Sequence, residues 1–168
     1  DMKSAAYKAI NPMGKVPAVQ HGDVVVTEAA AVCAWLADAF PQTGLAPALT
    51  SPERAPYLRW LFFAAGPLEQ AATAKALGWA VPEGREGMAG FGSFGDTLNA
   101  LEIALRPGPH ICGEQFTAAD VYVGSSLAWG LMFGTIEPRP VFVDYVARLK
   151  ARPASQRAAC SATSSCRG

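Results

Sequence analysis

The chain is 168 residues long, its 14 basic and 14 acidic side chains cancel, and 51% of its residues are hydrophobic. That length fits one ordinary domain or two small ones and buries enough surface to exclude disorder as a description of the whole. Zero net charge gives no basic footprint for nucleic acid and no draw towards an anionic membrane.

Residues 1–10 have a weak helical pattern, which the turn signal Asn11-Pro12-Met13-Gly14 ends. Two β-branched runs, 16–20 and 24–26, flank His21-Gly22-Asp23 and predict a hairpin with Gly22 at the bend and His21 solvated at the tip. Thr27 is placed to N-cap the next helix, with Glu28 in its first turn, where the helix dipole favours an anion. Val32, Trp35, Leu36 and Ala39 recur at helical spacing, and Pro41 stops that helix. Residues 42–55, rich in proline and small side chains, read as a linker.

Everything beyond the linker is helical in pattern. One long helix covers 57–81, starting at Pro56 and kinked at Gly66-Pro67. A second covers 88–106, a third runs from Phe116-Thr117 to about Gly134, and a fourth covers 141–151, with a short turn or helix at 153–159. The division expected is a hairpin-and-helix unit at 1–41, the linker at 42–55, a helical domain at 56–160 and a polar tail at 161–168. The longest apolar stretches, 29–37 and 60–65, fall far short of the ~18 residues of a membrane span. No basic segment with an apolar stretch and cleavage site stands at the start. Cys33, Cys112, Cys160 and Cys166 form no CxxC pair and have no histidine at ligand spacing. A reducing, cytoplasmic setting without a metal site follows.

Residues 12–29 carry the most chemical information. A proline at position 17, opening a strand, is either an edge residue or part of a cis bond. If the Val16–Pro17 bond is cis, the backbone of Val16 is left free of a ladder partner and can receive an extended peptide. Glu28 and the N–H groups around Ala29 then offer a carboxylate for an ammonium beside donors for a carboxylate. That combination suits a small γ-linked peptide such as glutathione. Equally open at this point is a structural reading, in which Pro17 only starts a strand and Glu28 only complements a helix dipole. Phe116-Thr117-Ala118-Ala119-Asp120-Val121 is a capping box, with Thr117 at the N-cap, Asp120 at the third helical position, and Phe116 and Val121 as a hydrophobic staple.

Asn11-Pro12-Met13-Gly14-Lys15-Val16-Pro17-Ala18-Val19, then Thr27-Glu28 opening a helix with Trp35-Leu36-Ala37, resembles the cytosolic glutathione S-transferases, bacterial ones above all. The box at Thr117 and Asp120 and the segment Arg152-Pro153-Ala154 match the family's C-terminal domain, and the likeness covers roughly 9–159. The resemblance implies an α/β plus all-α fold: part of a thioredoxin-like, glutathione-binding domain followed by the all-helical C-terminal domain. It implies a cis Val16–Pro17 bond, a glutathione site at Lys15, Val16, Pro17, Glu28 and Ala29, and a structural role for Thr117 and a buried Asp120. Where the family often has serine, this chain has Ala29, which offers only its backbone N–H. The helix at 57–81 and the capped helix flank the family's electrophile pocket, and a homodimer is the family's assembly. Glutathione would be a co-substrate, with no cofactor.

Other motifs stay structural. Gly90-Phe91-Gly92-Ser93-Phe94-Gly95 spells GxGxxG, with Glu114 about twenty residues on. No strand precedes it, so its glycines are expected to let a helix approach a neighbour. Cys33 is expected to be buried and inert, Trp60, Phe62 and Phe63 to be core, and His110 to lie in a loop without a partner. The family's catalytic Ser, Tyr or Cys follows the first strand of its thioredoxin-like domain, before the part matched here. The chain is therefore expected to be N-terminally incomplete, with an open sheet edge, and no catalytic residue is named; Ser4 and Tyr7 are misplaced to substitute. Conjugation of glutathione to an apolar electrophile, as in detoxification, is the first expectation. A non-catalytic scaffold or binding protein of the same fold is the second, and a standalone helical interaction domain the third.

Overall fold

A computed structural model describes residues 1–164, with side chains through Cys160. Helix α1 (Ala5–Ile10) is capped by Ser4, whose hydroxyl accepts from the Tyr7 N–H. Strands β1 (Ala18–His21) and β2 (Val24–Thr27) follow as an antiparallel hairpin, with Ala18 opposite Thr27 and His21 opposite Val24. These two strands form the whole sheet among the described residues. Helix α2 (Ala29–Ala39) runs back along β2 and ends before Pro41. His21 is exposed, yet it is not simply solvated: its ring lies 5.9 Å from Trp35 and 5.5 Å from Phe40, tying the hairpin tip to α2.

The expected helix at 57–81 divides into α3 (Arg54–Phe63), a wide π turn at Ala64–Leu68, and α4 (Glu69–Leu77). The π turn contains Gly66-Pro67, where the missing proline N–H breaks the regular ladder. Gly78 adopts the left-handed conformation and ends α4 four residues before expected. Helix α5 (Phe94–Leu105) starts later than Met88, because Ser93 caps it with its hydroxyl 3.0 Å from the Asp96 N–H. The GxGxxG run therefore precedes and opens α5 rather than packing a helix face. Gly92 sits at φ 62° with open space around it.

Helix α6 (Ala118–Met132) is the centre of the molecule and packs against α2, α3 and α7 (Pro140–Lys150). Ala119, Val123 and Leu127 on α6 are fully buried among Tyr57, Leu61, Leu101, Phe142 and Tyr145. Close approach is possible because Gly124 faces Leu149 and Gly130 faces Ile136, and a Cβ at either glycine would collide with those side chains. Of the aromatic run on α3, Trp60 is core, but Phe62 is 65% exposed because it turns to the opposite helix face. Helix α8 (Pro153–Ser164) continues four residues into the expected tail, and residues 165–168 lie outside the described residues.

Candidate functional site

The turn that leads into the hairpin is built from side chain to backbone. The Tyr7 hydroxyl and the Asn11 side-chain amide both donate to the Lys15 carbonyl, at 2.7 and 2.9 Å. The Met13 N–H donates back to Asn11 Oδ1 at 3.1 Å, and Asn11 is buried. These bonds fix the approach to the Val16–Pro17 peptide bond, which is cis. The strand ladder begins at Ala18, so Val16 stands outside it and is exposed.

At the other end of the hairpin, ladder pairing with Ala18 draws Thr27 into β2, so Thr27 is not the helix cap expected from its position. Glu28 occupies that place instead, at φ 70° and ψ 125°, with no side-chain cap bond. It is the only non-glycine residue with positive φ among the described residues. Such a conformation costs an L-residue about 1–3 kcal/mol and persists where the surrounding structure dictates it. The Glu28 carbonyl still accepts the first helical bond from the Val32 N–H at 2.8 Å.

Val16, Pro17, Glu28 and Ala29 all line one cleft of about 790 Å³. The facing wall is helical: Glu69 and Thr73 of α4, and Tyr122, Ser126 and Trp129 of α6, with Phe133 just beyond. Lys15 is not among the lining residues; its part is the carbonyl held by Tyr7 and Asn11. The Tyr122 hydroxyl donates to Glu69 Oε2 at 3.3 Å. Burial, reinforced by the negative charge of Glu69, pushes the Tyr122 phenol up to about 12, so it is a protonated donor at neutral pH. No lysine or arginine lines the cleft among the described residues. Neither internal thiol lines it. Burial pushes Cys33 up, and burial with the nearby Asp120 charge pushes Cys112 up to about 11, so neither is an activated nucleophile.

Thr117 and Asp120 stand elsewhere, at the buried start of α6. The Asp120 carboxylate is fully buried and accepts four hydrogen bonds. Oδ1 takes the Ile111 N–H and the Tyr145 hydroxyl, each at 2.8 Å. Oδ2 takes the Thr117 N–H at 2.8 Å and the Thr117 hydroxyl at 3.1 Å. The capping box is thus one part of a larger junction that holds the 108–113 loop and α7 to α6. His110 is not without contacts: its backbone pairs with Gly113, and its ring packs edge-on against Phe116 at 5.5 Å. Phe116 also carries the Arg152 guanidinium over its ring, while Val121 is exposed, so the expected staple is replaced by these two neighbours.

Sequence reasoning missed the clamp formed by Tyr7 and Asn11, and the cleft residues Glu69, Tyr122, Trp129 and Phe133. A stripe was visible on α6, since Tyr122, Ser126, Trp129 and Phe133 recur on one helix face. Periodicity alone does not tell a cleft wall from a core face.

A profile for the Glutathione S-transferase, N-terminal domain family matches residues 1–39. The glutathione transferase of Methylococcus capsulatus is 31% identical, superposes with a TM-score of 0.75, and aligns over 90% of this chain and 75% of its own. The chain belongs to the glutathione S-transferase family. Glutathione S-transferase GstA of Escherichia coli O157:H7 is 29% identical over 154 residues, covering 90% of this chain and 76% of that protein. A sphingomonad glutathione S-transferase solved in complex with glutathione has a TM-score of 0.72 at 29% identity, over 90% of this chain and 76% of the other. At the family level, then, this glutathione S-transferase is a transferase with a hairpin-and-helix N-terminal part and a helical remainder. Among its described residues no helix is long and apolar enough to cross a membrane.

Proposed function

We propose that the cleft binds glutathione along the hairpin wall and holds an apolar electrophile against the helical wall, joining the two through sulfur. The observation that carries this reading is that Val16, Pro17, Glu28 and Ala29, separated in sequence, line one cleft with α4 and α6 opposite. The Val16 backbone, outside the ladder and next to the cis bond, would pair with the cysteinyl part of glutathione. Glu28 would take the γ-glutamyl ammonium, and the Ala29 N–H at the start of α2 its carboxylate. Lys15 contributes through the clamped carbonyl that orients Val16. The sphingomonad enzyme in complex with glutathione supports the choice of peptide.

In the reaction, the glutathione thiol gives up its proton and the thiolate forms a bond to the electrophilic carbon. The leaving group departs with its electron pair, or, for an activated alkene, a proton adds at the neighbouring carbon. Within this reading residues 1–41 are part of the thioredoxin-like, glutathione-binding domain, 42–55 the linker and 56–160 the helical domain, with Thr117 and Asp120 as its structural cap. A cytoplasmic homodimer acting in detoxification completes the proposal.

Titration of the full-length protein with glutathione tests it. Pro17→Ala should abolish retention on immobilised glutathione while the helical domain keeps its unfolding transition. Undiminished retention in that variant, or no binding by the unaltered protein, rejects the assignment of the cleft. Binding without conjugation of any electrophile would leave a non-catalytic glutathione-binding protein of the same fold.

A further inference from the structure

The helical wall of the cleft carries more than apolar surface. Trp129 near the end of α6 and Phe133 just beyond it have ring centroids 5.3 Å apart, tilted 45° to each other, and are 62% and 63% exposed. Exposed rings inclined in this way form an angled apolar wall, where a flat aromatic ligand can stack on one ring and touch the other, and their faces also attract cations. Two carboxylates, Glu28 and Glu69, stand in the same cleft without a lysine or arginine among its described lining residues. In the proposed function the charge of Glu28 is answered by the γ-glutamyl ammonium. Among the described residues the Glu69 carboxylate is met by the neutral Tyr122 hydroxyl alone, at Oε2, which leaves Oε1 to a ligand.

We propose that Glu69, held by Tyr122 beside the aromatic pair, is the specificity-determining residue for the second substrate and selects aromatic electrophiles that carry an ammonium group. This rests on the glutathione reading of the same cleft. A ring stacked on one of Trp129 and Phe133 and touching the other brings its substituent towards α4, where a cation meets the Glu69 carboxylate and an anion meets repulsion. Tyr122 acts as a positioning residue: its hydroxyl holds one carboxylate oxygen and leaves the other for the ligand.

Binding of conjugates separates this inference from the reading beneath it and needs no turnover. The probes are S-benzylglutathione and its 4-aminomethyl and 4-carboxy derivatives, titrated by calorimetry at pH 7 into the full-length protein. The amine should bind about fivefold tighter than the parent and the acid about fivefold weaker, the size expected of one charge pair at a solvated site. In Glu69→Gln the three affinities should converge to within about twofold, and in Tyr122→Phe the original order should persist with a smaller spread. An order that survives Glu69→Gln, or no order in the unaltered protein, overturns the role of Glu69 while the parent conjugate still binds. Failure of glutathione and S-benzylglutathione alike to bind the unaltered protein overturns the glutathione reading and this inference together.

Discussion

Two acidic residues show how one functional group serves opposite ends. Glu28 is exposed and held at positive φ, a geometry that places its carboxylate at the mouth of a cleft and contributes nothing to capping its own helix. Asp120 is fully buried and spends every lone pair on a donor of the chain itself. The consequences of substitution differ accordingly. Asp120→Asn keeps the shape but turns an amide towards converging donors, leaving buried N–H and O–H groups without an acceptor. A loss of about 3 kcal/mol is expected, measured as a shift in denaturant midpoint with little change in slope. Tyr145→Phe removes a single bond of that junction and should cost about 1–1.5 kcal/mol, since Asp120 keeps its other three donors. Equal losses in the two variants would contradict the picture of one carboxylate collecting four partners. Glu28→Gln, in contrast, should leave stability almost unchanged and lower glutathione affinity about tenfold, the size of a charge-assisted bond of ~1.4 kcal/mol.

Among the elements, α2 is the joint, since it touches β2, α3 and α6. Its C-terminal end is tied to α3 by Asp38 and Arg54, whose guanidinium reaches both carboxylate oxygens at 2.6 and 2.8 Å and also the Pro47 carbonyl at 2.9 Å. The hydrogen bond from Arg54 holds the Asp38 carboxyl below its ordinary value despite some burial. A lowered carboxylate value contributes stability above the unfolded value near pH 4, lost as pH falls through the folded one. The pair is partly exposed, so about 1 kcal/mol or less is at stake. The gap between the protein and Asp38→Asn should be visible in denaturant midpoints at pH 7 and should narrow steadily as pH falls below about 4. A constant gap would mean that the charge is irrelevant and only packing was lost. This joint was not readable from the sequence, because sixteen residues and a proline-rich linker separate its two halves. What was readable was local. The hairpin, the Pro41 stop and the Thr117–Asp120 box each depend on residues within a few positions of one another. The α5 start at Phe94 and the strand assignment of Thr27 were missed because a serine cap and a ladder bond outcompeted the local pattern.

For the molecule as a whole, the cleft matters because its walls come from distant stretches of chain: 16–29 on one side, 68–76 and 122–136 on the other. Neither stretch makes a site alone. The hairpin supplies backbone and one carboxylate, and the helices supply aromatic rings, hydroxyls and a second carboxylate. A ligand that spans both walls therefore stabilises both parts of the fold, whereas one that touches only the hairpin stabilises the hairpin. S-benzylglutathione spans them in the proposed arrangement, and glutathione rests chiefly on the hairpin side. At a hundredfold excess over its dissociation constant, either ligand adds about 2.7 kcal/mol to the state it binds. If the chain unfolds as one unit, both ligands at matched saturation should raise the melting temperature by roughly 5–10 °C in a single transition. If the hairpin region unfolds first, glutathione should move only the early transition, while S-benzylglutathione should merge the two by fastening the walls together. Calorimetry with each ligand decides between these outcomes. A conjugate that moves only the early transition, as glutathione does, would mean that the benzyl group does not reach α4 and α6.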